Sequence, residues 1–291
     1  MKQGTVVFVG HLAINTDITA DGISYKTFGG SGYYTGATAS IVKAEHQTIG
    51  VSGRIGNDDF GKHIIFSLRD LGIDISGIEI DEKKSTARFQ LTETGNSSDH
   101  RLFKGSLGAG IDIVTLFPLH YTQASYIHIA TAPPQQQLEW INTFSPQISP
   151  DSKISVDAFE AYAKKFPKET YDALTLSTSY VFLNEEEWDV LEKWGHTSGG
   201  FTKLIFPVPT ILKRGARGAT IIYPDRSQID VPAEQVTYIN GTGAGETLAA
   251  VFLTRKAQGI DDKKALEEAV RIASLSVTDF GVDHVVKKRN K

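Results

Sequence analysis

The 291-residue chain contains no cysteine. That excludes disulfides, thiolate metal sites and cysteine nucleophiles, and it is compatible with a reducing compartment. It has no surplus of positive charge: 30 Lys and Arg stand against 34 Asp and Glu, a formal net charge of −4. No global basic field therefore argues for a nucleic-acid partner. The basic end Lys287-Lys288-Arg289-Asn290-Lys291 reads as a solvated tail. No apolar run is long enough to span a bilayer. The opening residues also lack the long apolar run and small-residue cleavage site of a signal peptide, so the expected setting is the cytoplasm, without a membrane partner. Two nucleotide motifs are missing as well. No Gly-Lys-Ser/Thr follows a glycine loop, which excludes a P-loop NTPase. The stretch Gly10-His11-Leu12-Ala13 after the first apolar run is not a Gly-x-Gly-x-x-Gly turn, which argues against a dinucleotide-dependent oxidoreductase.

What is present is an alternation of short β-branched runs and amphipathic segments. Thr5–Val9, Gln47–Ser52, Tyr126–Ile129, Lys153–Val156, Tyr180–Leu183 and Thr210–Lys213 read as buried strands. Between them lie helical patterns, such as Ile64, Ile65, Leu68 and Leu71 closed by Gly72. Strands alternating with helices predict a doubly wound, mostly parallel sheet flanked by helices. From Gly77 to Leu107 the texture changes: isolated apolar residues sit among charges, with Thr94-Gly95-Asn96-Ser97 as a turn signal. This predicts short, half-exposed antiparallel strands acting as a cover. Ala219–Tyr223 and Gln228–Val231 form a hairpin, and Asp261 or Asp262 caps a last helix that Gly281 ends. His128, inside an apolar strand, reads as a satisfied core histidine.

The segment Asn240-Gly241-Thr242-Gly243-Ala244-Gly245-Glu246 runs straight into the apolar stretch Thr247–Leu253. Small residues at a helix start present backbone N–H groups where the helix dipole is positive, which favours an anion. Glu246 on the first turn then suits a general base beside a transferring phosphate, or it simply caps the helix. Asp17, past the first strand, either accepts hydrogen bonds from substrate hydroxyls or ties a turn. Gly29-Gly30-Ser31-Gly32 opens a second glycine turn before a small-residue helix, where Tyr33 and Tyr34 offer a ring and a hydroxyl to a ligand or fill the core. Asn184 and Glu187 sit three apart at a strand end. The pair either orders a Mg²⁺–water shell or caps a helix.

The order of these pieces resembles the ribokinase-like (PfkB) family of carbohydrate and nucleoside kinases, over roughly Val6 to Gly281. Gly243-Ala244-Gly245 with an acid at 246 is similar to that family's Asp-Thr-x-Gly-Ala-Gly-Asp motif. Gly29-Gly30 is similar to its diglycine, and Gly53-Arg54-Ile55-Gly56-Asn57-Asp58-Asp59-Phe60-Gly61 to its Gly-x-[Val/Ile]-Gly-x-Asp-x-x-Gly stretch. Asn184-x-x-Glu187 is similar to its Asn-x-x-Glu motif, and Lys213-Arg214-Gly215-Ala216-Arg217-Gly218 to its nucleotide-binding segment. The resemblance implies one ribokinase-like domain over residues 1–291, with residues about 12–28 and 77–107 forming a small β lid through which a homodimer is plausible. It implies transfer of the γ-phosphate of ATP, with Mg²⁺, to a hydroxyl of a small sugar, polyol, cyclitol or nucleoside. In that reading Glu246 is the base and Gly243, Ala244 and Gly245 hold the phosphoryl group. Asp17, Gly29, Gly30 and Tyr34 line the acceptor site. Asn184 and Glu187 organise Mg²⁺ through water, while Lys213, Gly215, Gly218 and Ser274 border the nucleotide.

The departures are specific. The family's catalytic Asp is Glu246, one methylene longer, and its leading Asp-Thr is Asn240-Gly241, which weakens a monovalent-cation site. Ser31 and Tyr34 stand where Lys and Asn are frequent, and Ala158-Phe159-Glu160 where many sugar kinases carry Asn and Arg. The altered base and loop motivate an alternative: a protein that binds nucleotide and ligand as a sensor or partner and transfers phosphate weakly or not at all. Tyr33 and Tyr34 favour a ring-bearing acceptor such as a nucleoside or cyclitol.

Overall fold

The computed structural model describes residues 4–93 and 101–288. Among these, the strands are β1 (Val6–Val9), β2 (Ala13–Ile18), β3 (Ser24–Gly29), β4 (Ile49–Gly56), β5 (Asp74–Asp81), β6 (Ala87–Glu93), β7 (Arg101–Ser106), β8 (Tyr126–Ile129), β9 (Lys153–Asp157), β10 (Tyr180–Asn184), β11 (Thr210–Lys213), β12 (Ala219–Ile222) and β13 (Gln228–Val231). The helices are α1 (Ser31–Val42), α2 (Asp59–Asp70), α3 (Pro134–Phe144), α4 (Glu160–Lys165), α5 (Pro167–Thr175), α6 (Glu185–Trp194), α7 (Ala244–Ala257), α8 (Asp262–Ser276) and α9 (Asp283–Lys288).

A nine-stranded sheet runs in the order β13-β12-β11-β10-β9-β8-β1-β4-β5. It is parallel from β11 through β5, and antiparallel only at the β11–β12–β13 edge. Side chains alternate between the faces of a strand, so β1 feeds two cores. Val6 and Phe8 join Phe252 and Leu266 of α7 and α8 on one face. Val7 and Val9 join Trp140, Leu174 and Leu191 of α3, α5 and α6 on the other. Helices on both faces explain why the central strands are continuous apolar runs.

A second sheet, β3-β2-β6-β7, stands apart as the small cover. Its outer pairs are antiparallel, while β2 and β6 at its centre run parallel because they come from distant parts of the chain. The Thr94–Ser97 turn signal lies outside the described residues. Residues 74–81, placed from Gly77 onward with the cover on sequence grounds, instead form β5 at the edge of the large sheet. An edge strand has one face on a core and one in water, so its alternation reads like that of a lid strand. At the other end, α8 is capped by Asp261, whose side chain accepts from Lys264 N–H, and it stops at Ser276. Gly281 does not end it but precedes α9, because Val282 and Val285 fold back into the first core.

The β1 connection leaves toward β4 on one side, while β8 lies on its other side. Such a reversal of strand order opens a crevice beyond the carboxyl ends of the strands. Here the second sheet stands over it.

Candidate active site

A cleft of about 730 Å³ lies at these strand ends, between the two sheets. One side is set by α7. This helix is buried around nearly its whole circumference from Thr247 to Thr254, as expected of a helix that is apolar all round. Its N-cap, Gly243, has φ 84. A side chain there would be strained, and a Cβ would also lie 2.7 Å from the ring of Tyr34. The first amides of a helix have no partner within it. Ala244 N–H is met by Gly241 O, and Gly245 and Glu246, next in line, both border the cleft. Glu246 is turned toward the end of β8, where Thr131 Oγ1 donates to its Oε1 at 2.9 Å.

The diglycine has two separate reasons. A Cβ on Gly29 would lie 2.2 Å from the carboxamide carbon of Asn15, and one on Gly30 would lie 2.4 Å from His11 O. Asn15 Nδ2 donates to Tyr34 Oη at 3.1 Å. Burial, then the charge of Asp17, raises the Tyr34 phenol above its ordinary range, so it stays protonated. Asn15 lines the cleft, and its buried Oδ1 has no hydrogen-bond partner among the described residues.

Four ionisable groups converge at the far wall. Lys213, at the end of β11, places Nζ 2.6 Å from Asp157 Oδ1 at the end of β9. Burial alone would lower the lysine, but the charges of Asp157, Glu187 and Glu246 outweigh it and hold the ammonium above its usual range. Burial raises Asp157, which is wholly enclosed, against the pull of Lys213. Asn184 and Glu187 form a complete capping box at the start of α6. Glu187 N–H donates to Asn184 Oδ1 at 2.8 Å, and Asn184 N–H donates to Glu187 Oε2 at 2.7 Å. Asn184 Nδ2 adds a 3.0 Å bond to Glu187 Oε1. The helix-cap and ligand readings of this pair are thus compatible, since both residues also line the cleft. Burial raises the Glu187 carboxyl.

Gly215, Gly218 and Ser274 also line the cleft. Ser274 Oγ donates to Val270 O at 2.9 Å and accepts from Glu234 N–H at 3.2 Å, fixing the 233–236 segment that forms this rim.

Four residues depart from expectation. Asp17 and Gly29 do not line the cleft. Asp17 is buried against the 240–242 turn, where its Oδ1 accepts from Asn240 Nδ2 at 3.1 Å and from Thr242 Oγ1 at 3.4 Å. An Asp at 240 would face Asp17 with like charge, whereas the amide donates to it. Tyr33 turns away from the cleft, with its hydroxyl 2.7 Å from Ser67 Oγ and 3.3 Å from Asp283 Oδ1. His128 is only half satisfied: Nδ1 lies 3.0 Å from Ser155 Oγ, and Nε2 has no partner among the described residues.

Sequence reasoning also passed over His11, Asn15, Thr131 and the role of Asp157. His11 lines the cleft, with Nε2 2.8 Å from Gln136 Oε1. Because that oxygen only accepts, Nε2 carries the proton. Burial lowers the imidazole, so it is neutral. The available signal was position: each of these residues follows or ends a strand bordering the crevice, except Asn15 in the cover.

A helix start of small residues, a carboxylate beside it and a lysine above it, at the strand ends of a doubly wound sheet, form an arrangement suited to a small-molecule kinase. The pfkB family carbohydrate kinase pattern matches residues 4–289, and the chain belongs to that family. A cytidine kinase of Thermococcus kodakarensis is 26% identical over 279 residues, covering 92% of this chain and 92% of that one. The ribokinase of Bacillus subtilis is 24% identical, over 98% and 97% of the two chains. Among solved structures, the nucleoside kinase of Methanocaldococcus jannaschii matches with a TM-score of 0.75 at 19% identity, over 99% of this chain and 98% of that one, which supports the fold.

Proposed function

We propose that this kinase moves the γ-phosphate of ATP to a hydroxyl of a nucleoside-like acceptor, with Glu246 as general base. The observation that carries the transfer is Glu246 itself: a carboxylate on the first turn of α7, bordering the cleft and oriented by Thr131. The acceptor hydroxyl gives its proton to Glu246, and its oxygen bonds to the γ-phosphorus. The bond from that phosphorus to the β–γ bridging oxygen breaks, and its electron pair leaves with ADP. The developing charge falls at the α7 amides, where a fixed array of donors is most effective.

The acceptor class is supported by the apolar part of the cleft lining: Phe89 and Leu91 of the cover, Leu107, and Ala132, Ala158 and Phe159 beyond the ends of β8 and β9. Few polar groups stand among them, chiefly Asn15, Ser31 and neutral His11. Ser31 Oγ is already engaged, donating to Thr131 O at 2.9 Å and accepting from His11 N–H. A hexose needs a partner for each of several hydroxyls, and desolvating them unpaired is unfavourable. A pentose bearing a planar heterocycle fits a few polar groups and an apolar remainder. The similarity to a cytidine kinase points the same way.

Among the described residues no three His, Asp or Glu side chains converge as a metal site. Asn184 and Glu187, already bonded to each other, suit a Mg²⁺ held through water and phosphate rather than directly. Mg²⁺, when bound, would neutralise phosphate charge. Asn240 brings no charge to the loop, so no requirement for a monovalent cation is expected.

The test is ADP release with ATP and a panel of nucleosides, sugars, polyols and cyclitols, with Glu246→Gln as control. Stimulation by nucleosides, lost in the control, is the expected result. Turnover with simple hexoses alone would overturn the acceptor class. Binding of ATP and ligand with no acceptor-stimulated release would overturn catalysis in favour of a sensor or partner role.

A further inference from the structure

Lys213 stands where an ammonium should not rest by itself. A Cβ on Gly245 would lie only 3.2 Å from Lys213 Nζ, so the cation hangs directly over the first turn of α7. The start of a helix is the positive end of its dipole, where a cation is disfavoured. Two positive poles aimed at one space are reconciled by an anion between them. Lys213 also has capacity to spare. An ammonium has three donors, and among the described residues Asp157 Oδ1, at 2.6 Å, is its one hydrogen-bond acceptor. Asp157 is wholly buried, and its Oδ2 has no partner among the described residues. This carboxylate does not border the cleft; its neighbour Lys213 does. Asp157 therefore serves the lysine and not a ligand.

We infer that Lys213 is a catalytic residue that grips the transferring phosphoryl group against the α7 amides, and that Asp157 is a positioning residue which holds the lysine in place. This rests on the kinase reading, and it moves Lys213 from the rim of the nucleotide to the reacting phosphate. Lys213 makes and breaks no covalent bond; its donors meet non-bridging oxygens of the γ-phosphoryl group as the acceptor–phosphorus bond forms and the bridging bond opens. It also answers a charge problem: Glu187 and Glu246 border the cleft, and Lys213 is the cation that both act on.

The test compares the full chain with Lys213→Met, Lys213→Arg, Asp157→Asn and the double variant Lys213→Met/Asp157→Asn, which leaves no unpaired buried charge if Lys213→Met fails to fold. Calorimetry gives affinities for ADP and for β,γ-imido-ATP, and steady-state assays separate kcat from KM. Loss of the lysine is expected to weaken the triphosphate analogue about tenfold or more while ADP changes by less than about threefold, and to lower kcat roughly 10²–10³-fold. Lys213→Arg restores part of kcat, and Asp157→Asn lowers kcat with ADP affinity unchanged. Equal loss of ADP and analogue affinity, or an unchanged kcat, would overturn the inference. If wild type binds both nucleotides but phosphorylates no acceptor, the kinase reading fails, whereas the difference between the two affinities still reports on Lys213.

Discussion

Thr131 Oγ1 donates to Glu246 Oε1 across 2.9 Å, joining the end of β8 to the first turn of α7. Glutamate has one more rotatable bond than the aspartate its family carries at this position. A hydrogen bond to one oxygen restricts that freedom and, in the proposed reaction, leaves the other oxygen to the acceptor. A hydrogen bond to a charged group contributes about 1.5–3 kcal/mol, so Thr131→Val is expected to lower kcat roughly ten- to a hundredfold. Thr131→Ser, which keeps the donor, stays near wild type. Glu246→Gln loses about 10²–10⁴-fold. Steady-state kinetics with the best acceptor decides this, and a Thr131→Val enzyme with unchanged kcat would remove Thr131 from the account.

The ring of Tyr34 lies against Gly243, coupling the diglycine helix to the turn that starts α7. Gly243→Ala meets both φ 84 and a ring carbon at 2.7 Å. Left-handed strain and overpacking together are expected to destabilise the fold by about 2–4 kcal/mol. Adding Tyr34→Ala to Gly243→Ala removes the steric part but not the backbone part. Denaturant unfolding of the three variants separates them; if Tyr34→Ala recovers nothing, the contact is not what opposes the methyl group.

Acid stability carries the signature of His128. Burial, helped by the charge of Lys213, lowers this imidazole to about 3 from its ordinary 6.5. Its neutral form thus stabilises the fold fully above pH 6.5. That contribution shrinks as pH falls from 6.5 toward 3, by about 1.4 kcal/mol per pH unit, because the unfolded chain takes the proton first. Between pH 6.5 and 5 wild type is expected to lose about 2 kcal/mol more than His128→Phe. The phenyl ring keeps the edge contacts that His128 makes with Phe8 and Phe182. Denaturant melts at the two pH values measure the difference, and parallel loss in both proteins would show that His128 is not the group that titrates.

The Asn184–Glu187 box caps α6 and lines the cleft, so under the proposed reaction its loss should appear in two assays. Glu187→Ala is expected to lower stability by about 0.5–2 kcal/mol, as removal of a cap does. It should also raise the Mg²⁺ concentration needed for half-maximal rate, with acceptor KM unaltered. A stability loss with an unchanged Mg²⁺ profile would leave the pair a helix cap only.

The cover shows where local reading stops. Asp74–Asp81 alternates like a lid strand and still belongs to the large sheet, because β4 is there to accept its hydrogen bonds. The α8–α9 break is similar: Gly281 looks terminal until Val282 and Val285 are seen packed in the first core.

What the sequence determined by itself was everything governed by neighbours along the chain. The apolar runs set the strands, and the helix periods set the two flanking layers. The glycine turn before Thr247–Leu253 set the start of α7, and Asn184-x-x-Glu187 set a cap whose partners are three residues apart. Tertiary structure alone decided which side chains meet across that frame. Asp157 and Lys213 are 56 positions apart, Thr131 and Glu246 115, His11 and Gln136 125, Asp17 and Asn240 223. Periodicity and turn chemistry act over a few residues and say which way a strand or helix faces. They do not say which strand ends become neighbours, and it is at those ends, brought together by sheet order, that Lys213, Asp157 and the Thr131–Glu246 pair were assembled.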